Sequence, residues 1–511
     1  MSFCRVKSAV INGLEVIPVD VETDLSNGLP CFHMVGYLSA EVREAEERVR
    51  TAIQNSGIMI PPKKTVINLS PGNIRKRGTA FDLPIALSIL GAANELNKTN
   101  LEACMAVGEL SLDGNVQSVN GILPIAMEAK RNRVKCLIVP YENKDEAMLV
   151  EGLQVLGVMT LSEICEKMKI GKIDGEIGSG YEQKLLNENS SMLDFSDVSG
   201  QQGVKRAAEI AVAGRHNMLM IGPPGGGKSM IAKRIPSILP SLTMEESMEI
   251  TKVYSIAGLL DTKHPLITER PFREVHQTVT KSALIGGGIS PKPGEVTLAS
   301  GGVLFLDELA EFQKPVLEVL RGPLEEHVVR IVRSQGNYVF PADVMMVAAM
   351  NPCPCGNYPD YNKCNCTPVQ IQRYLGKISQ PFLDRIDICI EVPRVKFDEL
   401  RSNVKEESSE MIRKRIQKAR KRQINRYQEA GSKYNASLTS VEIEKYCKLN
   451  KECEKMMSQA FEVMSLTART YHKILKVART IADLDESEQI CMEHLQEAFM
   501  YRNIDKKFWG K

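Results

Sequence analysis

Long apolar runs are missing from this 511-residue chain. A bilayer span needs roughly 18–20 consecutive apolar residues. The best candidate, residues 83–93, is too short and follows Asp82. The first twenty residues, MSFCRVKSAVINGLEVIPVD, hold no unbroken apolar segment, so no secretory signal is expected. Neither sign of charge is in excess: 65 Lys+Arg face 63 Asp+Glu, a net charge of +2. That removes any argument from overall charge for a polyanionic partner, while leaving local basic patches possible. Fixed-period repeats and low-complexity segments are also absent, which excludes solenoids and fibres. With 43% hydrophobic and 25% charged residues, the composition is that of a folded globular chain with about three domains.

Three zones separate along the chain. Residues 1–165 alternate short strand-like runs, such as 66–69 and 136–139, with a helical pattern over 41–54. Residues 166–191 are polar and Gly-rich and read as a linker. Residues 192–395 alternate apolar runs at 217–221, 303–306 and 344–349 with helical segments, as a parallel α/β sheet requires. Residues 396–511 are rich in helix formers and are expected to form a helical domain.

The strongest local signal is Gly222-Pro223-Pro224-Gly225-Gly226-Gly227-Lys228-Ser229, which satisfies GxxxxGK[ST] after an apolar strand and before a helical segment. Glycines let backbone N–H groups turn toward phosphate oxygens without a Cβ in the way. Lys228 would place a charge on the β- and γ-phosphates, and Ser229 a hydroxyl on Mg²⁺. About 80 residues later, Leu304-Phe305-Leu306-Asp307-Glu308 ends an apolar strand in two acids. Asp307 is expected to hold the Mg²⁺ shell and Glu308 to polarise the attacking water. Asn351, after the next strand, could orient that water or simply begin an Asn-Pro turn. Arg385 in PFLDRID is a candidate arginine finger; taken alone, a surface ion pair with Asp384 or Asp387 is the better reading. Arg469 opens a helix in the last zone and could reach the γ-phosphate from a lid.

Cys353, Cys355, Cys364 and Cys366 lie within 14 residues, and the odd total of 13 cysteines with no export signal points to reduced thiols in the cytosol. Four thiolates can form one tetrahedral structural site for Zn²⁺ or iron, although each pair brackets only one residue where two to four are usual. The alternative is a Cys-rich surface loop with free thiols. Residues 328–340 read as a β-hairpin around Ser-Gln-Gly-Asn. Its Arg330 and Arg333 could contact a nucleic-acid backbone and Tyr338 could stack on bases, or the arginines could simply be solvated. Lys292, in the Gly-rich stretch 286–294, offers a further charge on a candidate mobile loop. The segment 412–427 carries eight Lys/Arg and no acid; it could track phosphates or pair with acidic neighbours.

Together, the phosphate loop, LFLDEL (304–309), AAMNPCPCG (348–356), PFLDRID (381–387) and TARTYHKILKVARTIADL (467–484) resemble the AAA+ ATPases, in the magnesium-chelatase-like branch and more narrowly the YifB/ComM family. KRGTAFDLPIA (76–86) and GELSLDGNV (108–116) extend the resemblance through the first zone. The resemblance implies an N-terminal Lon-protease-like α+β domain, a central P-loop parallel-sheet domain and a C-terminal helical lid. It also implies an ATP- and Mg²⁺-dependent ring, hexameric, with nucleotide between subunits. Asn351 would then be sensor 1, Arg385 the finger given to the neighbouring subunit's ATP, and Arg469 sensor 2. The 328–340 hairpin would point into the ring pore, and the activity would be a DNA helicase driving branch migration on single-stranded or branched DNA. Lon proteases need a Ser-Lys dyad, but Ala80 falls where the serine belongs and Leu123 roughly where the lysine belongs. The first zone is therefore expected to be proteolytically dead. A chelatase-like protein-remodelling ATPase is the alternative reading, and an ATP-binding switch a third.

Overall fold

A computed structural model describes every residue except 1, 170–174, 181–192, 289–290, 334–335, 361, 395–405, 429–433, 464–465 and 510–511. The chain divides into two compact units.

The first unit is built on an eight-stranded sheet. Its strands are β1 (Ser2–Asn12), β2 (Glu15–Ser26), β3 (Cys31–Val35), β4 (Lys64–Ser70), β5 (Cys104–Ala106), β8 (Cys136–Pro140), β9 (Gln154–Val158) and β10 (Glu176–Ile177), with β6 (Glu109–Leu110) and β7 (Val116–Gln117) forming a separate small ribbon. The order is β10-β9-β8-β5-β1-β2-β4-β3. β1, β2 and β4 pair antiparallel, while β5, β8 and β9 continue from β1 in parallel. Helix Asp82–Ala92 packs on this sheet with every residue buried, which explains an apolar run too short for a membrane. No described helix is long and apolar enough to cross one.

Three features differ from the sequence reading. The expected helix over 41–54 is two pieces, Ala40–Arg43 and Ala45–Asn55. Residues 166–169 close the helix Leu161–Lys169, and Glu176–Ile177 pairs with β9, so the linker is shorter than the polar composition suggested. Residues 170–174 and 181–191 of it lie outside the described residues. Finally, Met244–Thr268, inside the expected P-loop zone, belongs to the first unit. There helix Met244–Ala257 packs on helix Ile122–Arg131. Buried Glu146 accepts hydrogen bonds from Leu123 N–H (2.8 Å) and Ser255 Oγ (2.5 Å), joining the two helices. Ala80 and Leu123 present no nucleophile and no base: the Ala80 carbonyl accepts from Gly108 N–H, and Leu123 is fully buried.

The second unit holds a five-stranded parallel sheet of β11 (Met218–Ile221), β12 (Phe272–Val275), β13 (Val303–Leu306), β16 (Met345–Met350) and β17 (Ile388–Glu391), in the order β12-β13-β16-β11-β17. The inner strands MLMI, VLFL and MMVAAM are wholly buried, as strands covered on both faces must be. Two further strands, β14 (Val328–Arg333) and β15 (Gly336–Pro341), form the expected hairpin, with Ser334 and Gln335 outside the described residues and the start of β15, through Tyr338, grouped with the first unit. Helices Ser409–Arg426, Ala468–Leu484 and Met492–Trp509 carry the C-terminal region.

Candidate functional site

The register of the second sheet separates two groups of site residues. β11 and β17 run parallel with Met218 opposite Ile388 and Ile221 opposite Glu391. The phosphate loop leaves the C-terminal end of β11, whereas Arg385 precedes the N-terminal end of β17. Four residues of strand, about 13 Å at 3.3 Å each, lie between the two edges.

At the C-terminal edge, Gly225 and Gly227 have φ of +74° and +85°, conformations that favour glycine. Gly222 is needed for a different reason: a Cβ there would run into the Val392 carbonyl. Lys228 is buried and donates to the carbonyls of Gly222 (2.8 Å) and Pro223 (2.9 Å) and to Asn351 Oδ1 (3.1 Å). Burial pulls its pKa down, and Asp307 and Glu308 oppose that. Ser229 Oγ donates to Asp307 Oδ2 at 2.7 Å. Glu308 is exposed with φ +52°, and its N–H is bonded to Asp307 Oδ1. This brings together a cation, a hydroxyl–carboxylate pair and an amide around one loop, with an exposed carboxylate next to Asp307. The donor set fits a magnesium triphosphate: a hydroxyl and a carboxylate oxygen are the hard ligands Mg²⁺ takes.

At the N-terminal edge, Asn217 is the stitch. Its side chain donates to the Arg385 carbonyl (2.9 Å) and accepts from Met346 N–H (2.9 Å), and its backbone N–H reaches Asp387 Oδ2 (3.1 Å). Asp387 in turn pairs with Lys473 Nζ at 3.0 Å, each only 12% exposed. Burial alone would raise the Asp387 pKa; Lys473 and His216 outweigh it and hold the carboxyl well below the usual range. Lys473 and Arg469 are four residues apart on helix Ala468–Leu484, so docking Lys473 on Asp387 also delivers Arg469 to this edge. Arg469 Nη2 bonds Glu325 Oε1 at 2.6 Å, and Arg385 Nη2 bonds Glu325 Oε2. These residues line a pocket of about 400 Å³ that also exposes Arg215, His472 and Lys476. Arg469 thus lies beside Arg385 at the N-terminal edge of the sheet, whereas its own phosphate loop leaves the C-terminal edge. The expected ion pair of Arg385 with Asp384 or Asp387 is replaced by one with Glu325, because Asp387 is taken by Lys473.

The four cysteines converge after β16. Their sulfurs lie within 4.8 Å of one another, with Cys353–Cys355, Cys355–Cys364 and Cys353–Cys364 at 3.4, 3.6 and 3.8 Å, and none is in a disulfide. Tetrahedral Zn–S bonds of about 2.3 Å place sulfurs about 3.8 Å apart, so the residues fit such an ion. Tyr358 N–H donates to Cys353 Sγ (3.4 Å), and the Asn357 N–H leads the contacts holding the Cys355 thiol down to about 6. The cluster abuts the phosphate loop: a side chain at Gly356 would strike Pro224.

The expected nucleic-acid contacts divide. Arg330 and Arg333 on β14 and Lys292 are exposed. Tyr338 is not: strand alternation turns it, with Phe340, to the covered face, 4% exposed, so its ring is not open to stacking. Lys292 pairs back to Gly287; Ile289 and Ser290 of that loop lie outside the described residues. The basic segment is mostly internal wiring. Arg413 bonds the Ser237 carbonyl, Arg415 pairs with Glu209 and Glu407, Lys414 with Glu410, Lys418 with Glu486, Arg426 with Asp483, and Arg420 lies 3.6 Å over Tyr434. Glu325, Lys473 and Gly356 had no local signal in the sequence.

Family models match most of the chain: "Subunit ChlI of Mg-chelatase" over residues 21–143, "Magnesium chelatase, subunit ChlI" over 194–400, and its C-terminal region over 406–502. Competence protein ComM of Haemophilus influenzae is 40% identical over 509 residues, 98% of each chain. YifB of Escherichia coli is 41% identical over 509 residues, 99% of this chain and 98% of its own. Lon protease 2 of Bacillus subtilis is 28% identical over 125 residues, 24% of this chain and 22% of its own.

Proposed function

The chain belongs to the magnesium-chelatase-like AAA+ family, in the branch that contains ComM and YifB, and from that premise we propose that it is an ATP-hydrolysing motor acting on DNA, a helicase or branch-migration enzyme of recombination or transformation, working in the cytoplasm as a homo-oligomeric ring, hexameric by family analogy. The observation that carries the reading is the division of the site: the phosphate loop with Ser229 and Asp307 lies at one sheet edge, and Arg385 and Arg469, both paired with Glu325, lie at the other. Neither half is complete, and a head-to-tail ring joins the edges of successive copies.

In that arrangement the loop amides and Lys228 bind the β- and γ-phosphates of ATP. Ser229 and Asp307 are placed to hold Mg²⁺, which supplies charge neutralisation on those phosphates. Glu308 accepts the proton of the attacking water while Asn351 orients it. Arg385 and Arg469 of the next copy stabilise charge on the transferring phosphoryl group, which is mostly electrostatic work. The cysteine cluster holds a structural Zn²⁺ that stiffens the loop after β16. The Lon-like region serves DNA binding, assembly or regulation, not proteolysis.

The DNA assignment draws support from the printed name of ComM as a competence protein and from exposed Arg330, Arg333 and Lys292. The test is the ATPase rate with and without forked or four-way DNA, followed by strand displacement on a mobile junction. Stimulation and displacement are expected; a rate indifferent to every DNA, with no displacement, would favour protein remodelling instead.

A further inference from the structure

Arg385 is in an unusual state for a group meant to act on a neighbour. Its side chain is only 9% exposed. It is curled back, with Nη1 donating to the Pro381 carbonyl (2.7 Å), Nη2 on Glu325, and a buried Nε that has no partner. Arg469, 41% exposed, bonds the other oxygen of the same carboxylate. One planar anion therefore occupies both guanidinium groups, one oxygen each. A terminal phosphate is the same kind of ligand, a compact anion with several oxygens that arginines grip.

We propose that Glu325 is a positioning residue that acts as a latch: it stores Arg385 and Arg469 in the free subunit and yields them only when the γ-phosphate of a neighbouring copy's ATP competes for them. This rests on the reading that the two arginines serve a neighbour's nucleotide. Glu325 is itself half-exposed, on the short helix Pro323–Glu326, so it can swing away without unpacking the core. The latch makes assembly sensitive to the third phosphate. With ADP nothing displaces the carboxylate; with ATP the exchange of one anion for another frees both arginines at once.

The test is sedimentation velocity of the full chain, wild type and Glu325→Gln, over a range of concentrations with ADP or a non-hydrolysable ATP analogue. Losing two exposed ion pairs is expected to lower the half-assembly concentration about two- to thirtyfold. This shift is expected with the ATP analogue and not with ADP. It is also expected to vanish when Glu325→Gln is combined with Arg385→Ala and Arg469→Ala, because the carboxylate acts through those arginines. No shift, an equal shift with ADP, weaker assembly, or a shift that survives arginine removal would overturn the latch. Wild-type hydrolysis by Arg385→Ala alone would instead overturn the arginine reading beneath it.

Discussion

Replacing Lys473 by methionine tests why Arg469 sits where it does. The ammonium is 12% exposed and bonded to both Asp387 (3.0 Å) and the Ile386 carbonyl (2.9 Å). Methionine fills similar volume but leaves a buried carboxylate with the Asn217 N–H, His216 and the more weakly coupled Lys476. Removing one partner of a buried pair costs about 3–5 kcal/mol, and the remaining contacts favour the lower end, about 3 kcal/mol. For a unit of this size, with a urea slope near 3 kcal/mol per molar, the midpoint should fall by about 1 M. The single tryptophan, Trp509, donates to the Leu375 carbonyl within the second unit, so its fluorescence reports the relevant transition. The pH dependence has a definite sign. Asp387 is held below the range of a free carboxyl, so its contribution is complete above about pH 5 and is lost as pH falls through about 3.9 and below. Without Lys473 burial dominates and the carboxyl pKa rises. The gap between wild type and Lys473→Met should therefore be widest near pH 7 and narrow toward pH 4. A midpoint within 0.2 M (about 0.6 kcal/mol) of wild type at pH 7 would refute the anchoring role.

Other outcomes follow from the same geometry. Glu308→Gln should bind ATP with near-normal affinity and hydrolyse it at least about 100-fold more slowly, as measured by nucleotide binding and single-turnover kinetics. Gly356→Val should weaken ATP binding by forcing Pro224 outward, while Gly225→Ala, whose Cβ meets no protein atom, should cost the nucleotide-free chain only the backbone strain, of order 1 kcal/mol. Metal analysis of protein purified without added metal should find one Zn²⁺ per chain, and Cys364→Ser should abolish it. Peptide and casein cleavage should be undetectable with or without ATP, since Ala80 and Leu123 supply no nucleophile or base.

What could be read beforehand was contiguous in sequence. The phosphate loop, the strand ending in Asp307 and Glu308, and the four cysteines each fall within about fourteen residues, so their chemistry is visible without knowing the fold. The inner strands were equally legible, because burial on both faces leaves unbroken apolar runs. The pairing of Glu325 with Arg385 and Arg469 spans 60 and 144 residues, and nothing local marks it. The basic helix was legible in part: Lys414 and Arg415 pair with Glu410 and Glu407 just upstream, as local acids suggest, while the partners Glu209 and Asp483 are distant in sequence. Tyr338 was recoverable. Period-two alternation puts it on the face of Phe340, and both are buried. The return of Met244–Thr268 to the first unit was not, since helix Met244–Ala257 docks through Glu146, over a hundred residues earlier.

The central claim is that each nucleotide site is completed by a neighbouring copy, and subunit mixing tests it most directly. Lys228→Ala and Arg385→Ala proteins should each be inactive alone. Mixed in equal amounts, they should regain about a quarter of the wild-type ATPase rate, the share of head-to-tail interfaces that pair an intact phosphate loop with an intact arginine. A mixture that stays silent, or an Arg385→Ala protein that turns over at the wild-type rate by itself, would contradict the account.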